Sequence, residues 1–476
     1  MLHFYKRMLT IFFALCSYVA LSQTPCNQLF DQNIDSSRKW QSQLQQQHQT
    51  EIQSFKGALA DEKRWLYKEK LTATLTHFEK PELITDAVVN NYIVAVMAKL
   101  QPALKEAKAP HVNVYISRTG EPNAFTPGYN TVFINAGLIT RINNEAQLAF
   151  ILCHEIAHLL LKHGEQAIDQ YLSSIQSKEF KEQVSEIKKQ EYGRGKAVEE
   201  LAKKFSFDSR RHSRFKETAA DSLAIVLLKN TGFSIGQVID CLGLLDSVDA
   251  DRWSTKNTFE KYLNAPEYPI KPNYFGIARR SVFGVEAYAS DEASQRVTDS
   301  LRTHPDCKKR MQYAGLMIPE AVRNTGSTFL VDSVQFYKLQ QRLRNEMIEF
   351  ALGNEKASRG LFYAIEQINT DSSSAFVSAR ISMSLNQLYE AQKNHTLGKI
   401  TDLPNPQVYS KAYNELLYFI QNAKLADLAS INYYFTASAL KKFPGCKLLA
   451  GSMATCAANM GKTEESVYWK KTFEQL

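Results

Sequence analysis

The sequence predicts a mainly α fold with a small β-sheet, an α+β arrangement dominated by helices and followed by a wholly helical C-terminal domain. Three observations predict it. Apolar residues recur at helical spacing over most of the chain, and two short segments alternate in the manner of strands. One central helix is apolar nearly all round and yet carries two histidines and a glutamate. With 476 residues, 44% of them hydrophobic and 22% charged, the chain has apolar mass for about three cores. Disorder, collagen and multi-span membrane architectures are excluded on that composition.

At the N-terminus, Lys6 and Arg7 precede the apolar run Met8–Leu21, and the small residues Ala20 and Ser22 precede Gln23. This is the order of a secretory signal over residues 1–22, so the expected mature chain begins at Gln23 and is exported, either periplasmic or secreted. The run of about fifteen apolar residues falls short of the roughly twenty that cross a bilayer. No later segment reaches spanning length, so no membrane span is expected after cleavage. Leu15 and Pro25 are wrong neighbours for lipid attachment at Cys16 or Cys26. The net charge is +8, or +6 once Lys6 and Arg7 are removed, too mild to indicate nucleic acid. Of seven cysteines, Cys16 leaves with the signal and the other six read as buried small hydrophobes, with no bridges assigned. None forms a C-x-x-C pair, which argues against a thiolate zinc site.

Residues 23–85 form an N-terminal helical segment: Trp40, Leu44, Phe55, Leu59, Trp65 and Leu66 are spaced as on amphipathic helices, without evident chemistry. A second domain is expected over 86–322. Val88, Val89, Tyr92, Ile93, Val96 and Leu100 repeat at helical spacing, then His111–Arg118 alternates as a strand. The turn-rich passage Glu121–Asn130 leads to a second strand, Thr131–Asn135, which can pair with an extended substrate if it lies at a sheet edge. Asn144 and Gln147 have capping-box spacing before the apolar helix Ala146–Lys162, with Gly164 placed to end it.

Inside that helix lie His154, Glu155 and His158. At 100° per residue the two histidines are about 40° apart and one turn apart along the axis, so both imidazoles can bind one cation. Glu155 lies beside them. HEIAH matches the H-E-x-x-H pattern of zinc peptidases. A third ligand must come from elsewhere, because position 164 is Gly and 161 is Leu. His163, about 140° round the helix from His158, is expected to point away. Glu217 and Asp221, one turn apart at the start of the apolar run Ala219–Leu228, offer a ligand and a partner for the second N–H of a ligand histidine.

The ordered blocks NAFTPG (123–128), TVFINAGLI (131–139), HEIAHLLLKH (154–163), FKETAAD (215–221) and THPDCKKR (303–310) resemble the M48 family of zinc metallopeptidases, which includes the CAAX prenyl protease and HtpX-like enzymes. The resemblance covers roughly 86–320 and points to the soluble, exported branch. It implies a helical zincin-type domain binding one Zn2+ through His154, His158 and Glu217, with Glu155 as general base on a zinc-bound water. It also implies that His304 lies near the metal, either donating to the oxyanion or occupying the open zinc position as a latch; a structural histidine is the third reading. Arg310 is expected either beside a carboxylate of the site or on the surface. The implied substrate is unfolded or envelope polypeptide. The turn after Asn123 is shorter than usual in the family, and 250–302 is enlarged.

Residues 323–476 carry helical periodicity without clustered histidines or carboxylates. Asn459–Phe473 resembles the second half of a tetratricopeptide-type helix pair, so this domain is either a TPR-like platform for a protein partner or a plain helical bundle. The activity expected is therefore that of an exported zinc endopeptidase; the alternative is a non-catalytic scaffold or chaperone with an inactive or latched peptidase domain.

Overall fold

A computed structural model describes residues 29–79, 81–189, 214–247, 253–276, 307–354, 356–406 and 408–476. The expected signal segment, Cys26 and His304 lie outside the described residues. The chain divides into two compact units. One comprises Phe30–Ala250 and Ala287–Phe350; the other comprises Met1–Leu29, Asp251–Glu286 and Ala351–Leu476. This division is coarser than the expected domains. It groups the N-terminal helices with the HEIAH helix, and residues 253–276 with the C-terminal helices.

In the first unit, α1 (Ile34–Gln53) and α2 (Ala60–Glu79) are the amphipathic pair, and α3 (Ala87–Glu106) begins at Asp86, whose Oδ1 accepts from Val88 N at 2.7 Å. Three strands follow: β1 (Asn113–Ser117), β2 (Ala124–Gly128) and β3 (Thr131–Asn135). Their order is β1-β3-β2, with β1 parallel and β2 antiparallel to β3. One expectation is corrected here, and one condition is not met. A third strand occupies the passage read as turn, and Thr131–Asn135 is central; the sheet edge beside it is β2. The burial agrees, since every residue of β3 is buried while β2 is mostly half-buried.

Side chains alternate along β3, so Phe133 faces one side and Val132 and Ile134 the other. Phe133 stacks on Phe125 with centroids 5.1 Å apart and meets Phe78 and Tyr115 edge-on or tilted. Trp40 of α1 lies 4.7 Å from Tyr115. The N-terminal helices therefore cover one face of the sheet, which explains their aromatic content.

The HEIAH helix is α4 (Glu145–Leu160). Asn144 Oδ1 accepts from Gln147 N at 3.0 Å, while Gln147 Oε1 accepts from Asn143 N, one residue before the cap. Glu145 is fully buried at the start of the helix. Its carboxylate accepts from Tyr92 Oη and from the backbone N–H groups of Leu330, Val331 and Asp332 at 2.5–2.8 Å. The helix ends earlier than expected: Lys162 takes φ +54°, and Gly164 lies inside the next helix, α5 (His163–Gln176). After α6 (Lys178–Lys189) come α7 (214–229), α8 (Gln237–Asp246), α9 (Cys307–Met317) and α10 (Ser333–Gly353). α4 packs on α3, α8 and the β2–β3 side of the sheet.

In the second unit, of α11 (Ala357–Thr370), α12 (Ala375–Lys393), α13 (Lys411–Asn422), α14 (Leu425–Lys442), α15 (Lys447–Asn459) and α16 (Thr463–Gln475), α11 packs on α12 and α13, α12 on α14 and α15, and α15 on α14 and α16. Ser382, Thr436, Ser452 and Asn386 form a buried hydrogen-bonded cluster joining α12, α14 and α15. Satisfying these groups on one another fixes how the three helices meet. Segment 253–276 docks here through Ser254 Oγ to Glu415 and Thr255 Oγ1 to Ala412 O, both at 2.7 Å. Among the described residues, no helix is long and apolar enough to cross a membrane.

Gly137, just after β3, is required by close approach. A Cβ there would lie 2.1 Å from Gly120 O. Gly137→Ala is expected to destabilise the first unit by about 1–3 kcal/mol, the usual cost of overpacking, read as a lower midpoint in urea unfolding.

Candidate metal centre

Three helices build the centre. α4 presents His154 and His158 one turn apart, α7 presents Glu217 and Asp221 one turn apart, and α9 presents Arg310. His154 Nε2 and His158 Nε2 are 3.1 Å apart. Glu217 Oε2 lies 3.5 Å from the first and Oε1 3.4 Å from the second. A tetrahedron with bonds of about 2.0–2.1 Å has edges of about 3.3–3.4 Å, so the three donors converge at the spacing a small divalent cation requires. Glu217 Oε2 is buried and accepts no hydrogen bond, although Arg310 Nη1 stands 3.2 Å away. A buried carboxylate oxygen left without a donor is costly, and a cation among these atoms removes the cost. The donor set fits a metal.

Behind the donors lies a second layer. His154 Nδ1 faces Asp221 Oδ1 at 2.9 Å. Arg310 donates from Nε to Asp221 Oδ2 at 2.6 Å and from Nη2 to Oδ1 at 2.7 Å, a bidentate pair with both residues buried. Arg310 therefore sits beside a carboxylate of the site, not on the surface. Burial alone would push Asp221 and Glu217 up, but hydrogen bonds from Arg310 and His154 to Asp221, and the close approach of the two imidazoles and Arg310 to Glu217, hold both carboxyls below the ordinary range. Both are charged at neutral pH.

Glu155 is buried beside the histidines, and burial raises its pKa against the opposing pull of His154 and His158. Its carboxylate accepts no hydrogen bond from the described residues, so it is free to take a proton. The nearby thiols offer no ligands: burial pushes Cys153 up to about 12 and Cys307 up to about 11.

His163 departs from expectation. Its Nδ1 lies 2.8 Å from His158 Nδ1, and the ring is buried. The 140° estimate assumed a continuous helix, whereas the left-handed Lys162 turns the chain and brings the ring back. The adjacent Lys162, His163 and Gly164, a C-terminal basic pair before a glycine, were the available signal for that break. His304 lies outside the described residues, so the structure does not place it.

A helix-borne histidine pair facing a carboxylate from a second helix, with a free glutamate beside it, has the chemistry of a metallopeptidase centre. Residues 88–315 match the model of peptidase family M48. No curated protein matches the chain.

Arg310→Met leaves Asp221 charged in the interior with His154 as its remaining partner and no fixed cation beside it. The metal-stripped variant is expected to lose about 3–5 kcal/mol of stability, measured by urea unfolding against the metal-stripped parent.

Proposed function

We propose that the chain is an exported zinc-dependent endopeptidase that hydrolyses unfolded or envelope polypeptide. The observation that carries this reading is the convergence of three donor atoms, one of them an orphaned carboxylate oxygen, beside a second carboxylate that accepts no hydrogen bond from the described residues. His154, His158 and Glu217 hold the ion, Asp221 orients His154, and Arg310 orients Asp221. When bound, zinc polarises the scissile carbonyl and lowers the pKa of water. Glu155 takes the proton of the attacking water and passes it to the leaving amine; its raised pKa suits both halves of that transfer.

The half-buried edge strand β2 is where an extended substrate pairs, main chain to main chain, so recognition is broad. Export is supported by Cys446, which is disulfide-bonded, since such bonds persist in oxidising compartments. That bond also revises the reading of Cys446 as a simple buried hydrophobe. The helix succession α11–α16 supports a TPR-like platform for a protein partner. For His304, the two functional roles predict opposite results: His304→Ala lowers activity if the ring donates to the oxyanion and raises it if the ring latches the metal.

Purified mature protein is expected to hold about one zinc and to digest casein. Glu155→Gln should keep the zinc and lose about 10²–10⁴-fold in rate. An undiminished rate in this variant overturns the assignment of the base. Asp221→Asn is expected to weaken zinc about 10–100-fold, read by competition with a chelator of known affinity.

A further inference from the structure

A cavity of about 350 Å3 opens beside His158, at the end of the edge strand β2. Its far wall is made by the N-terminal helices, which lie before the family-matched residues 88–315. Glu51 of α1 and Lys70 of α2 face it, with Thr126 and Gly128 of β2 on the near side. The Lys70 ammonium rests over the rings of Tyr67 and Tyr129, 4.9 and 5.2 Å from their centroids. It is packed so close to the strand that a Cβ on Gly128 would lie 2.8 Å from Nζ. Among the described residues Lys70 makes no hydrogen bond or ion pair through its ammonium, and the Glu51 carboxylate makes none either. The two charges thus line one cavity without touching.

Burial draws Lys70 down and pushes Glu51 up, each opposed by the field of the other. Both residues are half-buried, and among the described residues neither charged group has a hydrogen-bonding partner. A purely anionic side chain would be drawn by Lys70 and Lys162 but repelled by Glu51 and Glu165, and a cationic one would meet the reverse. An apolar side chain would leave both unsatisfied. A carboxamide presents an acceptor and two donors in one plane and can answer both walls without introducing charge.

We propose that this cavity is a substrate subsite for a glutamine or asparagine side chain, with Lys70 donating to the amide oxygen and Glu51 accepting from the amide nitrogen. The assignment rests on the endopeptidase reading for its place in catalysis, but not for its binding chemistry. The N-terminal helices then act as a specificity wall, and Lys70 and Glu51 are specificity-determining residues.

The test uses the full mature chain carrying Glu155→Gln, loaded with zinc, and four fluorescein-labelled alanine-based peptides that differ in one central residue: Gln, Glu, Lys or Leu. Fluorescence anisotropy is expected to show the Gln peptide binding about tenfold tighter than the other three, the scale of one or two satisfied buried hydrogen bonds. Adding Lys70→Met, which keeps the stem over the tyrosines, should erase that preference, and Glu51→Gln, added separately, should reduce it. Equal binding of the four peptides, a preference for Glu, Lys or Leu, or a Gln preference that survives Lys70→Met overturns the proposal. Casein digestion by the parent separates the two readings. If digestion fails while the Gln preference stands, the endopeptidase reading falls and the subsite remains. If digestion proceeds with no Gln preference, the subsite falls alone.

Discussion

The centre depends on keeping two carboxylates charged on one turn of α7 while they are buried against α4. Arg310 makes this possible. Its guanidinium gives two hydrogen bonds to Asp221 and stands 3.2 Å from Glu217, so one fixed cation opposes the repulsion between neighbouring anions. With Asp221 charged and immobile, Nδ1 of His154 is turned toward it and Nε2 toward Glu217. The His154 and Glu217 donors take their directions around that one bidentate contact, while His158 is steadied by His163.

The rigidity extends past the donors. Glu145 ties the first turn of α4 to the backbone of residues 330–332, and Tyr92 ties the same carboxylate to α3. At the other end, His163 meets His158 because α4 stops at a left-handed residue instead of fraying into a longer helix. The helix is thus held at both ends and along one face, which leaves the two imidazoles little freedom to swing.

Much of this was legible in the sequence for a simple reason: helical periodicity is local. The period alone puts His154 with His158, and Glu217 with Asp221, and an apolar helix that retains such groups must have partners for them. What was not legible depends on chain reversal or on strand order. His163 was misplaced because angular extrapolation holds only while a helix continues. β2 was read as turn because Pro127 and Gly128 are turn residues, and the position of Thr131–Asn135 in the sheet stayed open because nothing in a five-residue strand records which neighbours flank it. The N-terminal helices seemed chemically silent since Glu51 and Lys70 acquire meaning only beside Gly128, more than fifty residues away in the chain.

The edge strand has a further consequence. β2 carries Pro127, which lacks an N–H, and its register with β3 is irregular between Phe125 and Gly128. An exposed edge with regular, unbroken spacing invites a second copy of the same protein to add on and propagate as an aggregate. Here the ladder is interrupted after a few residues, so a transient extended guest can lie along it while long self-association along the same edge is frustrated. Such an edge makes a poor template for a fibril.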